Sequence, residues 1–152
     1  MYQRILVPLD GSKLAEAVLP HVEEISKGCN VVTVILMRVI PPLYLAGDYT
    51  ISQTERERIE TAHRAEAESY LKQVAGQLRD AGVNAETEVV PGNAAETIVN
   101  YAENNDVDLI IIATHGRSGI ARWALGSVAD RVVRLSCAPV FMVRPPGCVA
   151  GL

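Results

Sequence analysis

Five short runs of apolar residues, separated by stretches with helical spacing, restrict this chain to very few architectures. The runs cover residues 4–9, 30–40, 86–90, 108–113 and 139–143, and all are rich in Val and Ile. Most are continuously apolar rather than alternating, as expected of strands buried on both faces of a parallel sheet. Residues 13–27 carry Leu14, Val18, Val22 and Ile25 at steps of three and four. That spacing predicts a helix, with Gly28 as its C-cap and a kink at Pro20. Residues 55–81 predict the longest helix, ending at Gly82, with an apolar stripe of Ala67, Tyr70, Leu71, Val74 and Leu78 in its second half. Its first half is mostly charge and is expected to project past the sheet into solvent. Asn93 and Glu96 read as a capping box. It opens a helix whose buried face is Ala94, Ala95, Ile98, Val99 and Ala102. A last helix starts near Ser127 and uses Val128, Val132 and Leu135. The order β-α-β-α-β-α-β-α-β predicts an α/β fold, a five-stranded parallel sheet with right-handed crossovers and helices on both faces.

The 152 residues suffice for one domain with a proper core. Residues 1–144 are expected to form it, leaving 145–152 as a frayed tail with little to bury. A net charge of −4 gives no electrostatic reason to bind nucleic acid, and no Lys/Arg run exceeds two. No apolar run approaches the roughly 18 residues that span a bilayer, and the opening lacks signal-peptide organisation. The three cysteines, Cys29, Cys137 and Cys148, show neither CxxC nor zinc spacing and read as small buried hydrophobes in a reducing compartment. A cytoplasmic protein without a membrane or nucleic-acid partner is expected.

In sheets of this kind ligands sit outside the carboxyl ends of the strands, where the strand order reverses. The informative segment is the one after the fourth run. Ala113-Thr114-His115-Gly116-Arg117-Ser118-Gly119 leads from a strand, and Gly126-Ser127 opens a helix. Glycines let backbone N–H groups approach an anion, and a helix N-terminus adds unpaired donors and about half a positive charge. Ser127 adds a hydroxyl, and Arg117 and Arg122 add full charge nearby. The same residues also suit a plain loop shaped by Gly116 and Gly119, with Ser127 as a cap. The segment is neither a Walker A loop nor a Rossmann GxGxxG. His115 reads as a turn residue, because nothing in the sequence brings a nucleophile to it. His21 and His63 form no metal pair. No catalytic or metal-ligating set is identified, and Trp123 is a convenient fluorescence reporter.

Three separated motifs, in order, resemble the universal stress protein family over residues 2–144. They are Arg4-Ile5-Leu6-Val7-Pro8-Leu9-Asp10-Gly11-Ser12, the loop just described with Gly126-Ser127-Val128-Ala129, and Cys137-Ala138-Pro139-Val140-Phe141-Met142-Val143-Arg144. The resemblance implies a Rossmann-like three-layer sandwich of the adenine nucleotide alpha-hydrolase type. It also implies ATP or AMP as ligand. The family's loop reads Gly, two residues, Gly, nine residues, Gly, then Ser or Thr. Gly116, Gly126 and Ser127 match it, whereas Ala113 stands at the first glycine. If that position required φ > 0, a Cβ would cost roughly 1–2 kcal/mol. At the end of a strand it would cost nothing unless the ligand pressed on it.

By the same resemblance Pro8, Leu9 and Asp10 line the adenine and ribose side, with Val39 against the base. Gly116 and Gly119 offer amides to the phosphates, Gly126, Ser127 and Val128 finish the cradle, and Arg117 lies close by. Asp10 can bond ribose hydroxyls, hold a phosphate-bound Mg²⁺, or cap the first helix. Three or four hydrogen bonds to a charged acceptor, at roughly 1.5–3 kcal/mol each, support about micromolar affinity after the cost of binding. The expected role is a nucleotide-binding regulatory protein of the stress response, with ATP hydrolysis slow at most. Two alternatives stay open: a nucleotide-using enzyme (an ATP hydrolase or adenylyl transferase), and a nucleotide-free dimer. Residues 139–143 should form an apolar sheet edge, and the resemblance likewise implies a homodimer through Val140, Phe141, Met142 and Val143. Segment 43–54 reads equally as a lid over the site or a loop.

Overall fold

The computed structural model describes residues 1–43, 51–114 and 126–146. Its strands are β1 (Arg4–Pro8), β2 (Thr33–Ile40), β3 (Ala85–Pro91), β4 (Leu109–Ala113) and β5 (Val140–Val143). Its helices are α1 (Leu19–Cys29), α2 (Gln53–Asp80), α3 (Ala94–Asn104) and α4 (Ser127–Leu135), with a 3₁₀ turn over Ala15–Val18 ahead of α1. The strands make one sheet in the order β3-β2-β1-β4-β5, every neighbouring pair parallel. The expected α/β class and element order are those the chain adopts, with strand ends shifted by one to three residues.

The order of strands dictates where the helices go. Right-handed crossovers from β1 to β2 and on to β3 put α1 and α2 on one face. The return past β1 to β4, then to β5, puts α3 and α4 on the other. The core accordingly has two halves. Ile5, Val7, Leu36 and Ile111 pack with Val18, Val22, Leu71 and Val74. Leu6, Ile35, Met37 and Ile110 pack with Ile98, Val99, Ala129 and Val132. Successive residues of a strand thus serve opposite halves, which is why its apolar run is continuous. Each large side chain so buried contributes roughly 1.5–3 kcal/mol.

Several local expectations are corrected. Pro20 kinks nothing: the chain makes its 3₁₀ turn first and begins α1 at Leu19, so Pro20 falls in the first turn, where a missing N–H has no intrahelical partner. The turn also leaves Leu14 exposed and buries Ala15 instead. Helix α1 runs through Gly28 and closes at Asn30, whose φ of 52° is left-handed. A short polar side chain tolerates that conformation. The capping box does not form, because Asn93 makes no side-chain cap bond and Glu96 pairs with Arg131 of α4 at 3.2 Å. Leu135 is exposed rather than core. Pro145, first residue of the expected tail, is buried.

Helix α2 behaves as its sequence suggests. Ser52 caps it by accepting from the Glu55 N–H at 3.2 Å, and its buried residues begin at Ala67. The chain leaves it through Gly82, whose N–H donates to Arg79 O while the Val83 N–H donates to Leu78 O. No helix among the described residues is long and apolar enough to cross a membrane.

Asp108 ties the central strands together at their amino ends. Its Oδ2 accepts from the backbone N–H groups of Gln3 at 2.7 Å and Arg4 at 2.9 Å, and its own N–H donates to Arg4 O. These amides hold its carboxyl below the usual carboxylate range. The folded state therefore favours the ionised form. That stabilisation is complete above the unfolded-chain pKa of about 3.9 and is lost as pH falls through the lower folded value. We expect Asp108→Ala to cost about 1 kcal/mol at pH 7, a figure reduced for solvent screening. Urea midpoints of the two proteins should converge as the pH is lowered below 4.

Candidate functional site

Strand β1 has β2 on one side and β4 on the other, and its two neighbours are reached by helices on opposite faces. The helices diverge above the carboxyl ends of these strands and leave a crevice. A cleft of about 110 Å³ lies there. Pro8, Leu9 and Asp10 come to it from the end of β1, Val39 from β2, Ala113 from β4, and Gly126 and Val128 from the start of α4. Residues far apart in sequence are brought together because the parallel strands all end at this edge.

Each of these residues has a definite local setting. Pro8 is buried opposite Met37, and the Leu9 N–H donates to Met37 O at 2.8 Å, so the β1–β2 ladder continues one step past the strand. Asp10 is exposed, and its Oδ1 accepts from the Ser12 N–H at 2.8 Å. Ser12 Oγ accepts in turn from the Ala15 N–H at 3.2 Å. Asp10 therefore does shape the turn into the first helical segment, and it borders the cleft as well. Val39 is partly buried against the α3–α4 half of the core.

Ala113 is the last residue of β4, paired with Val143 and 5% exposed. The only non-glycine residues with positive φ among those described are Asn30 and Asp106. Position 113 is thus ordinary strand, and alanine is unstrained there. Gly126 is different: its φ of 76° belongs to glycine, and it is the N-cap of α4. Ser127 is the first residue of α4 rather than its cap; it is exposed and is not part of the cleft wall. Gly116, Arg117 and Gly119, with His115, Arg122 and Trp123, lie outside the described residues, as do Cys148 and positions 44–50.

The cleft wall also contains residues that the sequence reading passed over. Met37 and Ile112 precede Val39 and Ala113 on their strands, while Ala94 and Ile98 sit one turn apart on α3. Ala15 and Ala129 complete the wall. Strand period and helix period carry the signal for Met37 and Ile98, since each shares a face with a residue already singled out or at the helix start. The wall is mainly apolar, with the first turns of α3 and α4 both reaching it. Their unpaired N–H groups favour an anion. No three His, Cys, Asp or Glu side chains come together among the described residues.

The two sheet edges are unlike. On β3 the exposed residues include Glu86, Thr87 and Glu88, Pro91 ends the strand, and Arg79 donates to Ala85 O. Charge and proline discourage strand pairing there. On β5, Phe141 and Met142 are 41% and 38% exposed, Val140 is partly buried and Val143 is buried. Phe141 also meets the His21 ring of α1, centroids 5.8 Å apart.

Three solved relatives share this fold. Universal stress protein MJ0577 of Methanocaldococcus jannaschii is 32% identical over 157 residues, spanning 95% of this chain and 96% of its own. Its structure superposes with a TM-score of 0.78, covering 97% of this chain and 99% of that one. A universal stress protein in complex with cAMP is 23% identical with a TM-score of 0.70, covering 95% and 98% of the two chains. A universal stress protein family protein from Arabidopsis thaliana with AMP bound is 15% identical with a TM-score of 0.68, covering 95% and 93%. At the last two identities the likeness is one of fold. Residues 1–144 match the Universal stress protein family as a whole, and the chain belongs to that family.

Proposed function

We propose that this chain binds an adenine nucleotide, ATP or AMP, in the cleft above β1, β2 and β4, and that occupancy regulates pairing through β5. One observation carries the reading. Of the eight described residues that sequence reasoning assigned to a nucleotide, seven line one cleft at the point where strand order reverses; the eighth, Ser127, is next to it. The cAMP and AMP complexes of relatives with the same fold support the ligand class.

Pro8, Val39 and Ile98 give flat apolar walls suited to a base. Asp10 stands at the rim, where a carboxylate accepts hydrogen bonds from ribose hydroxyls or holds the Mg²⁺ of a bound nucleotide. That ion supplies positive charge against the phosphates. Gly126 and the start of α4 face the phosphates with backbone N–H groups, and the missing Cβ at Gly126 lets an anion approach closely. Ala113 keeps its strand conformation and interferes only through its methyl. Binding, rather than turnover, is the activity: occupancy alters association with a second copy and with other proteins during stress, in the cytoplasm, and hydrolysis is slow and incidental. Cys29 is partly buried and Cys137 exposed, rather than the buried hydrophobes expected, and both are free thiols, which suits that reducing compartment.

Thermal stability with and without nucleotide tests the ligand. For a dissociation constant of about 10 µM, 1 mM Mg·ATP stabilises the fold by roughly 2.7 kcal/mol, which raises Tm by about 5–10 °C. No shift with either ATP or AMP at millimolar concentration, and no change in Trp123 fluorescence, would sink the proposal. Gly126→Val should weaken binding at least about tenfold, because the new side chain meets both the strained φ and the phosphates.

Light scattering tests the dimer. Val140 is partly buried in its own core, so Val140→Lys would also disturb the monomer. Met142→Lys is the cleaner change, since Met142 is exposed on the free edge. We expect it to yield a folded monomer; a dimer of undiminished stability would rule out pairing through β5.

A further inference from the structure

Behind the cleft, on the α1–α2 side of the sheet, lies a polar cluster to which nothing above gives a role. Arg38 of β2 points to this side, since its strand neighbours Met37 and Val39 face the other half of the core. Its guanidinium packs directly on Gly11: a Cβ built there would stand 2.9 Å from Arg38 Nη1. Gly11, at φ +87°, is the residue that follows Asp10. The same guanidinium lies over the ring of Tyr70, 5.6 Å from its centroid, a cation–π contact with α2. The Tyr70 hydroxyl donates to Glu16 Oε1 at 3.1 Å, and Glu16 Oε2 takes Lys13 Nζ at 2.9 Å. Glu16 belongs to the 3₁₀ turn that the Asp10–Ser12 turn leads into. Burial and the Glu16 carboxylate push the Tyr70 hydroxyl up, with Asp10 adding to the same effect and Arg38 opposing it.

Taken together, these contacts clamp both ends of one turn to the long helix. Arg38 holds the Gly11 end, and Tyr70 holds the Glu16 end. Asp10, at the cleft rim, sits on the peptide that the cation presses against. We propose that Arg38, seated on Tyr70, is a positioning residue that sets the Asp10 carboxylate for the ribose hydroxyls of the nucleotide. The inference rests on the nucleotide reading above and adds to it a residue that never touches the ligand. Three physical features favour it. A planar guanidinium stacks on an aromatic face while its edge packs on backbone, which an ammonium does not do equally well. Gly11 has no side chain to hold the turn by itself. The ring that fixes Arg38 is anchored in turn by its own hydroxyl.

Isothermal titration of the full chain distinguishes this from general loosening. Dissociation constants for ATP and for 2′,3′-dideoxy-ATP are measured on the wild type, Arg38→Met, Asp10→Ala and the double variant. A positioning role predicts that Arg38→Met weakens ATP binding about tenfold, the scale of one hydrogen bond to a charged group, and leaves the dideoxy analogue unchanged. It also predicts no further loss when Asp10→Ala is added. Arg38→Lys should fall between Arg38→Met and the wild type. Tyr70→Leu removes the platform from a distance and should give the same ATP-selective loss, which keeps the idea testable if Arg38→Met does not fold. Unchanged ATP affinity, an equal loss toward both nucleotides, or additive losses would overturn the inference alone. A wild type that binds neither nucleotide would overturn the nucleotide reading with it.

Discussion

The parallel pairing of β1 with β2 on one side and β4 on the other is the constraint on which the rest of this structure depends. Because crossovers keep one hand, reversing direction across β1 sends α1 and α2 to one face and α3 and α4 to the other. The two helical layers then part above the carboxyl ends of the same strands. The crevice is a consequence of connectivity and requires no dedicated residue to open it. At the opposite end Asp108 fastens the amino ends of β1 and β4 with two backbone donors. One end of the sheet is therefore sealed by hydrogen bonds and the other is available to a ligand.

Within that frame the cleft divides its labour by element. Strand ends supply apolar walls, because strand residues are buried on both faces until the strand stops. Helix starts supply donors, because the first N–H groups of α3 and α4 have no intrahelical acceptor. The β1–α1 turn supplies the acid, Asp10, which serves the turn and the cleft at once. The turn is held by its own hydrogen bonds to Asp10 and Ser12, and Arg38 against Gly11 and Tyr70 against Glu16 join it to β2 and α2 from outside the cleft.

The two edges of the sheet illustrate how the same architecture protects one surface and leaves another open. Strand β3 carries Glu86 and Glu88 outward and ends in Pro91, features that oppose edge pairing. Strand β5 presents Phe141 and Met142 with no such protection. Helix α4, which starts at the cleft, connects directly to β5 through the short link 136–139. The cleft at the start of α4 and the open edge at β5 are thus separated by one helix.

Much of the fold was legible because burial on both sides of a strand leaves a continuous apolar run that no other element here imitates. The carboxyl-edge residues Pro8, Val39 and Ala113 were legible for the same reason, since knowing where each strand stops locates the edge. Local chemistry misled where tertiary contacts competed with it. Glu96 fits a capping box by spacing, yet Arg131 on the neighbouring helix takes its carboxylate. Pro20 breaks a helix by rule, yet the chain restarts the helix one residue earlier and makes the proline harmless. The sequence by itself determined the strand count and the parallel pairing, because these follow from periodicity, while its resemblance to a known family pointed to the acid and the glycine. Only the tertiary structure decided that Ala113 is unstrained strand, that β3 is the opposite edge of the sheet, and that Arg38 of β2 reaches across to Gly11 and Tyr70. Those facts depend on strand pairing and on contacts between residues remote in the chain, and no local pattern encodes them.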